Sequence, residues 1–300
     1  MKNAIAYYYN LYSYDIHQIN DKYKFIVNDN IYILTPCNRE EINYIYKIYE
    51  TLIKYGVPLH HIVININNNI YTTINNNDYI LLQVYKEYDR KIELADIINF
   101  NLMVSNISFE NNKVIDWATL WENKIDYFEY QVNQFGKRYP KIRDSFGYYA
   151  GITETGISLY RMINNNQNNK MIISHKRINH NSTLYDLYNP LNLVIDYKVR
   201  DVAEYFKSLF LIKENVFEDI IYYFNQNYLT GYECLIFFNR MLYPSFYFDI
   251  YEKIIESEKN IEKLDDIIKK NKDYEELIKS IYNYLAYNIN VPDIEWLKKT

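Results

Sequence analysis

The hydrophobic periodicity of the chain changes once, near residue 86, and this change constrains the fold more than any other feature. Up to that point the apolar residues fall in short segments joined by Asn- and Asp-rich turns, which is typical of β-strands. These segments are Tyr23–Asn28, Ile31–Thr35, Ile62–Ile66, Ile70–Ile74 and Tyr79–Tyr85, the first two forming a hairpin with its turn at Asp29–Asn30. Between them, Arg39–Tyr55 has apolar residues at helical spacing and stops at Gly56. We therefore predict a small β-rich lobe over residues 1–86, with one antiparallel sheet and this helix packed on it.

After residue 86 the periodicity becomes helical. Trp117–Phe135 has one apolar side and is preceded by Asp116 as a candidate N-cap. The other predicted elements are a helix at Ser145–Ile163, a loop at Asn164–Lys170, extended segments at Met171–Ser174 and Leu191–Asp196, helices at Val202–Ile212 and Tyr232–Glu256 (broken at Pro244), and two tail helices, with Asp273 and Glu276 as a capping box. This predicts a large, mainly helical lobe over residues 87–300 with a short β insertion around 171–196, and an α+β fold overall.

Composition excludes several classes of protein. The formal net charge is −5 and the basic residues are scattered, which argues against a nucleic-acid partner. No apolar run approaches the roughly 20 residues of a membrane span, and the first residues do not resemble a signal peptide, so we expect a cytosolic protein. Cys37 and Cys234 are too few for a disulfide framework or a four-cysteine zinc site. We interpret both as ordinary packing residues.

A β-rich lobe with one helix, followed by a helical lobe, is how protein kinases and aminoglycoside phosphotransferases are built. Four parts carry the chemistry of that fold. A strand Lys holds the phosphates, and a His-x-Asp loop supplies the base. An Asn and a strand-end Asp hold the metal. Their common purpose is to offset the charge of the transferring phosphoryl group.

Most of these parts are absent from the sequence. Thr35 lies near the position of the strand Lys, and no glycine-rich loop precedes it. The segment Ser174-His175-Lys176-Arg177 lies where the base loop belongs, but Arg177 replaces the Asp, and a guanidinium cannot accept a proton near neutral pH. Ser182 or Asn181 falls near the metal-binding Asn. Only Asp196, which ends an apolar strand, has the expected residue type.

Four segments resemble the spore-coat kinase-like proteins of endospore-forming Firmicutes (CotS/YutH type), in particular the YutH-type branch. They are Leu120-Trp121-Glu122-Asn123-Lys124, Ser145-Phe146-Gly147-Tyr148-Tyr149-Ala150-Gly151, Asp196-Tyr197-Lys198-Val199-Arg200-Asp201-Val202-Ala203-Glu204-Tyr205 and Arg240-Met241-Leu242-Tyr243-Pro244-Ser245-Phe246-Tyr247-Phe248. The resemblance spans most of the chain and fits best after residue 115. It implies a two-lobed aminoglycoside-phosphotransferase-like fold, a catalytically degenerate site and a role in the spore coat. It also implies that other spore coat proteins are the partners, and that the protein associates with the coat in the cytoplasm of the sporulating cell.

Each candidate residue also has a structural interpretation. For His175 we favour a structural hydrogen bond over a catalytic role. Asp196 is either a metal ligand or a strand-end carboxylate bonded to local backbone amides. Its short separation from Asp201 departs from active phosphotransferases. Asp201 opens a predicted helix, so we expect an N-cap that also braces the loop around His175. The pairs His60–His61 and His175–His180 lack metal-ligand spacing.

Three functional hypotheses follow. The first is a non-catalytic, pseudokinase-like protein that binds partners during coat assembly, with no cofactor. The second is an atypical phosphotransferase of the aminoglycoside or choline kinase-like type, with ATP and magnesium bound through Asp196. The third is a purely structural coat component in which the nucleotide cleft has closed. The absent Lys, base and glycine-rich loop favour the first over the second, and the sequence predicts no particular oligomeric state.

Overall fold

The computed structural model describes residues 1–108, 115–163, 171–257 and 261–298. The loop predicted at Asn164–Lys170 lies outside these residues. The strands are β1 (Ile16–Ile19), β2 (Lys22–Val27), β3 (Asn30–Pro36), β4 (His61–Val63), β5 (Thr72–Ile74), β6 (Asn77–Val84), β7 (Met171–His175) and β8 (Leu193–Tyr197). The helices are α1 (Lys2–Tyr9), α2 (Arg39–Lys54), α3 (Leu94–Val104), α4 (Trp117–Phe135), α5 (Pro140–Ile163), α6 (Leu184–Leu187), α7 (Arg200–Phe210), α8 (Phe217–Gln226), α9 (Gly231–Met241), α10 (Ser245–Ser257), α11 (Ile261–Lys269), α12 (Asn271–Asn288) and α13 (Glu295–Lys298).

The chain divides into two compact units. Unit 1 comprises Met1–Phe109 and Ile173–Ile195, and unit 2 comprises Glu110–Ile172 and Asp196–Thr300. The boundary predicted at residue 86 therefore falls inside unit 1. The reason is a tertiary contact, because backbone hydrogen bonds join residues 182–185 to residues 88–92. Strands β7 and β8 pair in a separate two-stranded sheet.

Unit 1 contains the antiparallel sheet that the sequence predicts. Its strand order is β1-β2-β3-β6-β4, with β5 on β6. Strand β1 was not predicted, since its four residues alternate too briefly to stand out. The hairpin between β2 and β3 turns at Asn28–Asp29, one residue before the predicted turn. Both turn residues have positive φ, at 49° and 61°, which suits the right-handed twist of a two-residue hairpin.

The two faces of this sheet are covered differently. On one face Phe25, Leu34 and Leu81 pack against Ile5 and Tyr9 of α1, a helix that the sequence analysis missed. On the other face lie Ile33, Thr35, Ile80 and Leu82, which alternate with the first set along β3 and β6. Helix α2 contacts the β4 edge, where the backbone N–H of Ile62 donates to the Tyr49 hydroxyl at 3.2 Å. The prediction of α2 packed on the sheet is confirmed.

Unit 2 is mainly helical. Helix α4 and its N-cap are confirmed, since the Asp116 side chain accepts from the backbone N–H of Thr119 at 3.2 Å. Helix α5 begins at Pro140, earlier than predicted, because a proline is well tolerated in a first helical turn. The break around Pro244 is confirmed between α9 and α10. The predicted Asp273 capping box is wrong, since α12 begins at Asn271 and Asp273 lies in its first turn.

From Arg200 onward the described residues form seven helices, more than the sequence analysis predicts there, because short connections split the tail into separate elements. None of the described helices has the length and apolarity needed to span a membrane.

Candidate functional site

Thr35 lies on β3 in unit 1, on the sheet face that also carries Ile33 and Leu82, and it is buried. The side chain of Tyr185 lies next to Thr35 on this face. Tyr185 is buried there, with the Lys22 ammonium 4.7 Å from its ring centre. Burial raises the pKa of Tyr185 well above its usual value, and the adjacent Thr35 side chain offsets only part of that rise. The position of the strand Lys is therefore occupied by a small neutral residue under a tyrosine.

A short segment, residues 182–188, which we call the strap, is bonded to the chain that follows β6. Ile92 N–H donates to the Ser182 carbonyl at 3.0 Å. The backbone N–H groups of Leu184 and Tyr185 donate to the carbonyls of Arg90 and Tyr88, at 2.9 and 2.7 Å. These backbone groups of residues 88–92 are consequently satisfied from within unit 1.

His60 lies beside the strap and is fully buried, at 0% exposure. Its ring is stacked on that of Tyr185, with 5.5 Å between centres, and it also contacts Tyr85 and Tyr188. Neither ring nitrogen has a hydrogen-bond partner. Burial lowers the pKa of His60 to about 4, although backbone groups of Tyr185 and Leu184 act in the opposite direction. His60 is therefore a neutral imidazole packed among tyrosines, and the sequence analysis did not single it out for this.

The positions of the base loop make structural contacts in unit 1. His175 is buried, and its Nε2 lies 2.8 Å from the Leu187 carbonyl oxygen, to which it donates. Arg177 is exposed, and its backbone N–H and carbonyl are both bonded to the Asn192 side chain, at 3.0 and 2.8 Å. The Ser182 hydroxyl accepts from the backbone N–H of Asn179 at 3.1 Å.

Asp196 lies at the end of β8 and belongs to unit 2, where it is fully buried. One carboxylate oxygen accepts from the Trp117 indole N–H at 3.0 Å and from the backbone N–H of Tyr197 at 2.7 Å. The other oxygen bonds the guanidinium of Arg200 in the first turn of α7. Protein donors thus contact both oxygens.

This ion pair is part of a larger buried group that we call the Asp196 cluster, made of Trp117, Asp196, Arg200, Glu204, Lys207 and Arg240. The guanidiniums of Arg200 and Arg240 lie over the Trp117 indole, 4.9 and 4.3 Å from the ring centre. Such stacking on an aromatic face stabilises a buried cation. Arg240 also bonds Glu204 at 2.8 Å.

Glu204 connects the cations of the cluster. It accepts from Lys207 and Arg240, each at 2.8 Å, and from the Ser245 hydroxyl at 2.7 Å. Burial alone would raise the pKa of Glu204, but the charges of Lys207 and Arg240 outweigh it, so the pKa lies well below its usual range. Burial lowers the pKa of Lys207 to about 8, against the opposing effect of Glu204.

Asp201 does not cap its helix as predicted. Helix α7 begins at Arg200, its N-cap position is Val199, and Asp201 lies fully buried in the first turn. The helix starts before its apolar stripe because Arg200, its first residue, forms an ion pair with Asp196. That Asp201 has a structural role remains a prediction, which now rests on its burial instead of on helix capping.

Sequence reasoning missed that the four family segments pack together in unit 2. Three of them meet at the Asp196 cluster, since Trp121 lies 5.6 Å from the Arg240 guanidinium. The second segment joins through Tyr149, whose ring stacks on Tyr247 at 3.7 Å. One signal was available: Arg200, Glu204 and Lys207 share one helix face at spacings of four and three, the face that also buries Ala203. In the described parts of the chain, no three His, Cys, Asp or Glu residues are grouped as metal ligands.

Comparison with solved structures identifies the class of fold. An aminoglycoside phosphotransferase from Alicyclobacillus acidocaldarius superimposes with a TM-score of 0.69 over 96% of both chains, at 9% identity. Spectinomycin phosphotransferase APH(9)-Ia, in complex with ADP and spectinomycin, gives 0.58 over 94% of this chain and 96% of the other, at 10% identity. The protein therefore has the two-lobed, kinase-like α+β fold of these phosphotransferases, as predicted.

The family follows from sequence comparison. Residues 2–281 match the family model described as "Spore coat putative kinase YutH", and the chain belongs to this family. The "Endospore coat-associated protein YutH" of Bacillus subtilis (strain 168) is 27% identical over 214 residues. That match covers 62% of this chain and 62% of the relative's length. The resemblance inferred from the four segments is confirmed.

Proposed function

We propose that this chain is a non-catalytic member of the kinase fold that binds other coat proteins during assembly of the spore coat. The description of its family names the spore coat, and the name of its Bacillus subtilis relative says that it is coat-associated. The protein would act in the cytoplasm of the sporulating cell, without ATP or magnesium.

The observation that carries the non-catalytic part is the state of Asp196. Its two oxygens contact an indole N–H, a backbone N–H and the Arg200 guanidinium. Magnesium demands near-octahedral oxygen ligands and gives up its water reluctantly. To bind it, Asp196 would first have to release Arg200, and breaking a buried ion pair is strongly unfavourable. The donor set does not fit a magnesium ion, and the guanidinium already supplies the positive charge.

The remaining positions support the same proposal. Thr35 brings no positive charge to the phosphates, and Arg177 cannot act as a base. Ser182 is held in a turn with Asn179. Positioning and charge stabilisation are the main sources of phosphotransfer rate, so losing these groups together removes most of the catalytic machinery.

The alternative is a phosphotransferase that uses Asp196 as its metal ligand. The word "kinase" in the family description and the activity named for the structural neighbours favour it. It requires ATP and magnesium to displace Arg200. A purely structural coat component is the further alternative, and it differs from the proposal only in having no effect on other coat proteins.

Thermal unfolding with and without magnesium and millimolar ATP separates the first two. A ligand at about 100 times its dissociation constant stabilises a fold by about 2.7 kcal/mol. For a chain of this size, that corresponds to a shift of several degrees. We expect a shift of less than about one degree and no ATP consumption above a blank. A magnesium-dependent shift of several degrees that Asp196→Ala abolishes would establish the phosphotransferase instead.

Coat composition separates the proposal from the structural alternative. Extracts of coats from spores that lack this protein should also lack, or contain less of, at least one other coat protein. A coat missing only this chain would identify it as a structural component.

A further inference from the structure

The contacts of His60 point to a device inside unit 1 that the functional proposal does not use. A fully buried imidazole normally bonds through at least one nitrogen, and both nitrogens of His60 lack a partner. The hydroxyl of Tyr185, which stacks on this imidazole, is also buried without a partner. The two rings pack on each other in the middle of the strap, and their side-chain polar atoms do not take part in its hydrogen bonds.

Hydrogen bonds and aromatic packing together hold the strap in place. Three backbone hydrogen bonds join it to residues 88–92, and the backbone N–H of His60 donates to the Tyr188 carbonyl at 2.9 Å. The Leu187 carbonyl of the strap also accepts from His175 at 2.8 Å, and its Asp186 carbonyl accepts from the Asn192 side chain at 3.0 Å. In addition, Tyr185 and Tyr188 pack around the His60 ring. The packing of Tyr185 and Tyr188 against His60 therefore depends on that ring remaining uncharged.

We propose that His60 is an acid-sensitive latch whose protonation detaches the strap from residues 88–92 while unit 2 stays folded. An imidazolium donates from both nitrogens, and the nearby backbone groups of Tyr185 and Leu184 offset only part of the cost of burying its charge. Once detached, the strap uncovers the sheet face that carries Thr35. Opening would thus present Tyr185 and this face to solvent or to a partner only in acid.

The surroundings of His60 compensate such a charge only in part, through backbone groups of Tyr185 and Leu184. The aromatic groups around it are Tyr85, Tyr185 and Tyr188, and His60 forms no ion pair within the described residues. The charged groups lie one layer further out, beside those tyrosines: Lys22, Asp21 and Asp186 near Tyr185, and Asp96 and Arg90 near Tyr188. Lys22 and Arg90 would repel an imidazolium and the three carboxylates would attract it, and these charges act on the tyrosines that contact His60.

The size of the effect follows from the difference between the closed and open states. In the closed state burial lowers the pKa of His60 from 6.5 to about 4. Because the open state binds the proton more tightly, the opening equilibrium grows as the pH falls from 6.5 towards 4. Between pH 7 and pH 4.5 it should increase about 50-fold.

Hydrogen exchange of the full chain, followed by mass spectrometry and corrected for the intrinsic rate at each pH, tests the latch. Peptides covering residues 88–92 and 182–188 should lose protection by tens-fold between pH 7 and 4.5. Peptides from α12 in unit 2 should keep theirs. His60→Phe and His60→Gln should remove the acid effect, and either variant suffices if the other does not fold. His61→Gln is the matched control, since the exposed neighbour should leave the effect unchanged.

Three results would overturn the inference: unchanged protection in the wild type, equal acid loss in the His60 variants, or parallel loss in α12. None of these depends on catalysis, so the result is independent of the proposed function.

Discussion

The guanidinium of Arg200 bonds the carboxylate of Asp196 four residues earlier, and their side chains are only 9% and 0% exposed. A buried ion pair contributes little net stability compared with apolar residues, but removing one partner leaves an uncompensated charge. Arg200 is thus the counterion on which the Asp196 carboxylate depends. This dependence makes the pair testable by stability as well as by magnesium binding.

Replacing Arg200 with methionine should destabilise unit 2 strongly. Arg200→Met removes the only cation that is shown bonded to the buried Asp196 carboxylate among the described residues and leaves Arg240 as a nearby charge. We expect a loss of about 3–5 kcal/mol in the free energy of unfolding. Urea unfolding followed by tryptophan fluorescence reports it, because Trp117 contacts both residues. The double variant Asp196→Asn with Arg200→Met removes both charges and should recover much of the loss.

Arg161→Met is the matched control for that experiment. Arg161 pairs with Glu122 at 2.6 Å, but these side chains are 55% and 44% exposed. Exposed pairs contribute about 0–1 kcal/mol. Equal losses for the two Arg variants would contradict the assignment of the Asp196 pair as the critical one.

Acid should destabilise the wild type partly through Glu204. Because the pKa of Glu204 is lower in the folded protein than its usual value of 4.5, its contribution is complete above that value. It is lost as the pH falls below 4.5 towards the lower folded pKa. Glu204→Gln should lower stability at neutral pH and flatten the dependence of stability on pH below 4.5. A variant that stays as acid-sensitive as the wild type would show that other carboxylates dominate.

Sequence patterns predicted the sheet, α2, α4 and the break at Pro244, because each is fixed by local periodicity or by backbone chemistry. The elements that were missed depend on distant contacts. Helix α1 is stabilised by packing on the sheet, with Tyr9 bonded to Thr72 at 2.9 Å. The sequence of the first residues contains no local pattern that would predict this packing on the sheet.

In the candidate site, too, some features follow from local sequence and others depend on distant contacts. Residue types alone indicated that Thr35 and Arg177 lack the required chemistry. Two other features depend on the tertiary fold, which residue types do not reveal. They are the bond between Arg200 and Asp196 and the bonds between the strap and residues 88–92. The i, i+4 spacing of Asp196 and Arg200 permits a pair only if the chain turns from β8 into α7 there, and the sequence analysis placed the helix start two residues too late.

The hairpin turn offers a stabilising change. Asp29 has a φ of 61° at the second turn position, which glycine adopts without the cost that a side chain carries. Relief of this left-handed strain, about 1–2 kcal/mol, should outweigh the greater entropy that glycine gives the unfolded chain, about 0.5–1 kcal/mol. Asp29→Gly should therefore raise the free energy of unfolding by about 0.5–1 kcal/mol, measured by urea unfolding. A loss of stability would mean that the Asp29 side chain contributes contacts that offset its backbone cost.

Three glycines of α5 should respond in opposite directions to the same substitution. A Cβ at Gly156 would lie 3.1 Å from the Leu242 Cβ and 3.6 Å from the Asn239 carbonyl oxygen, whereas at Gly147 and Gly151 it would meet nothing within 4 Å. Leu242 Cβ is attached to the backbone and cannot yield without moving the segment after α9, and overpacking of this kind typically costs about 1–3 kcal/mol. Gly147→Ala and Gly151→Ala should instead stabilise the helix by about 0.5–1 kcal/mol each. Thermal unfolding of the three variants under identical conditions decides the matter. A stabilised Gly156→Ala variant would show that α5 and α9 are not held at this close approach.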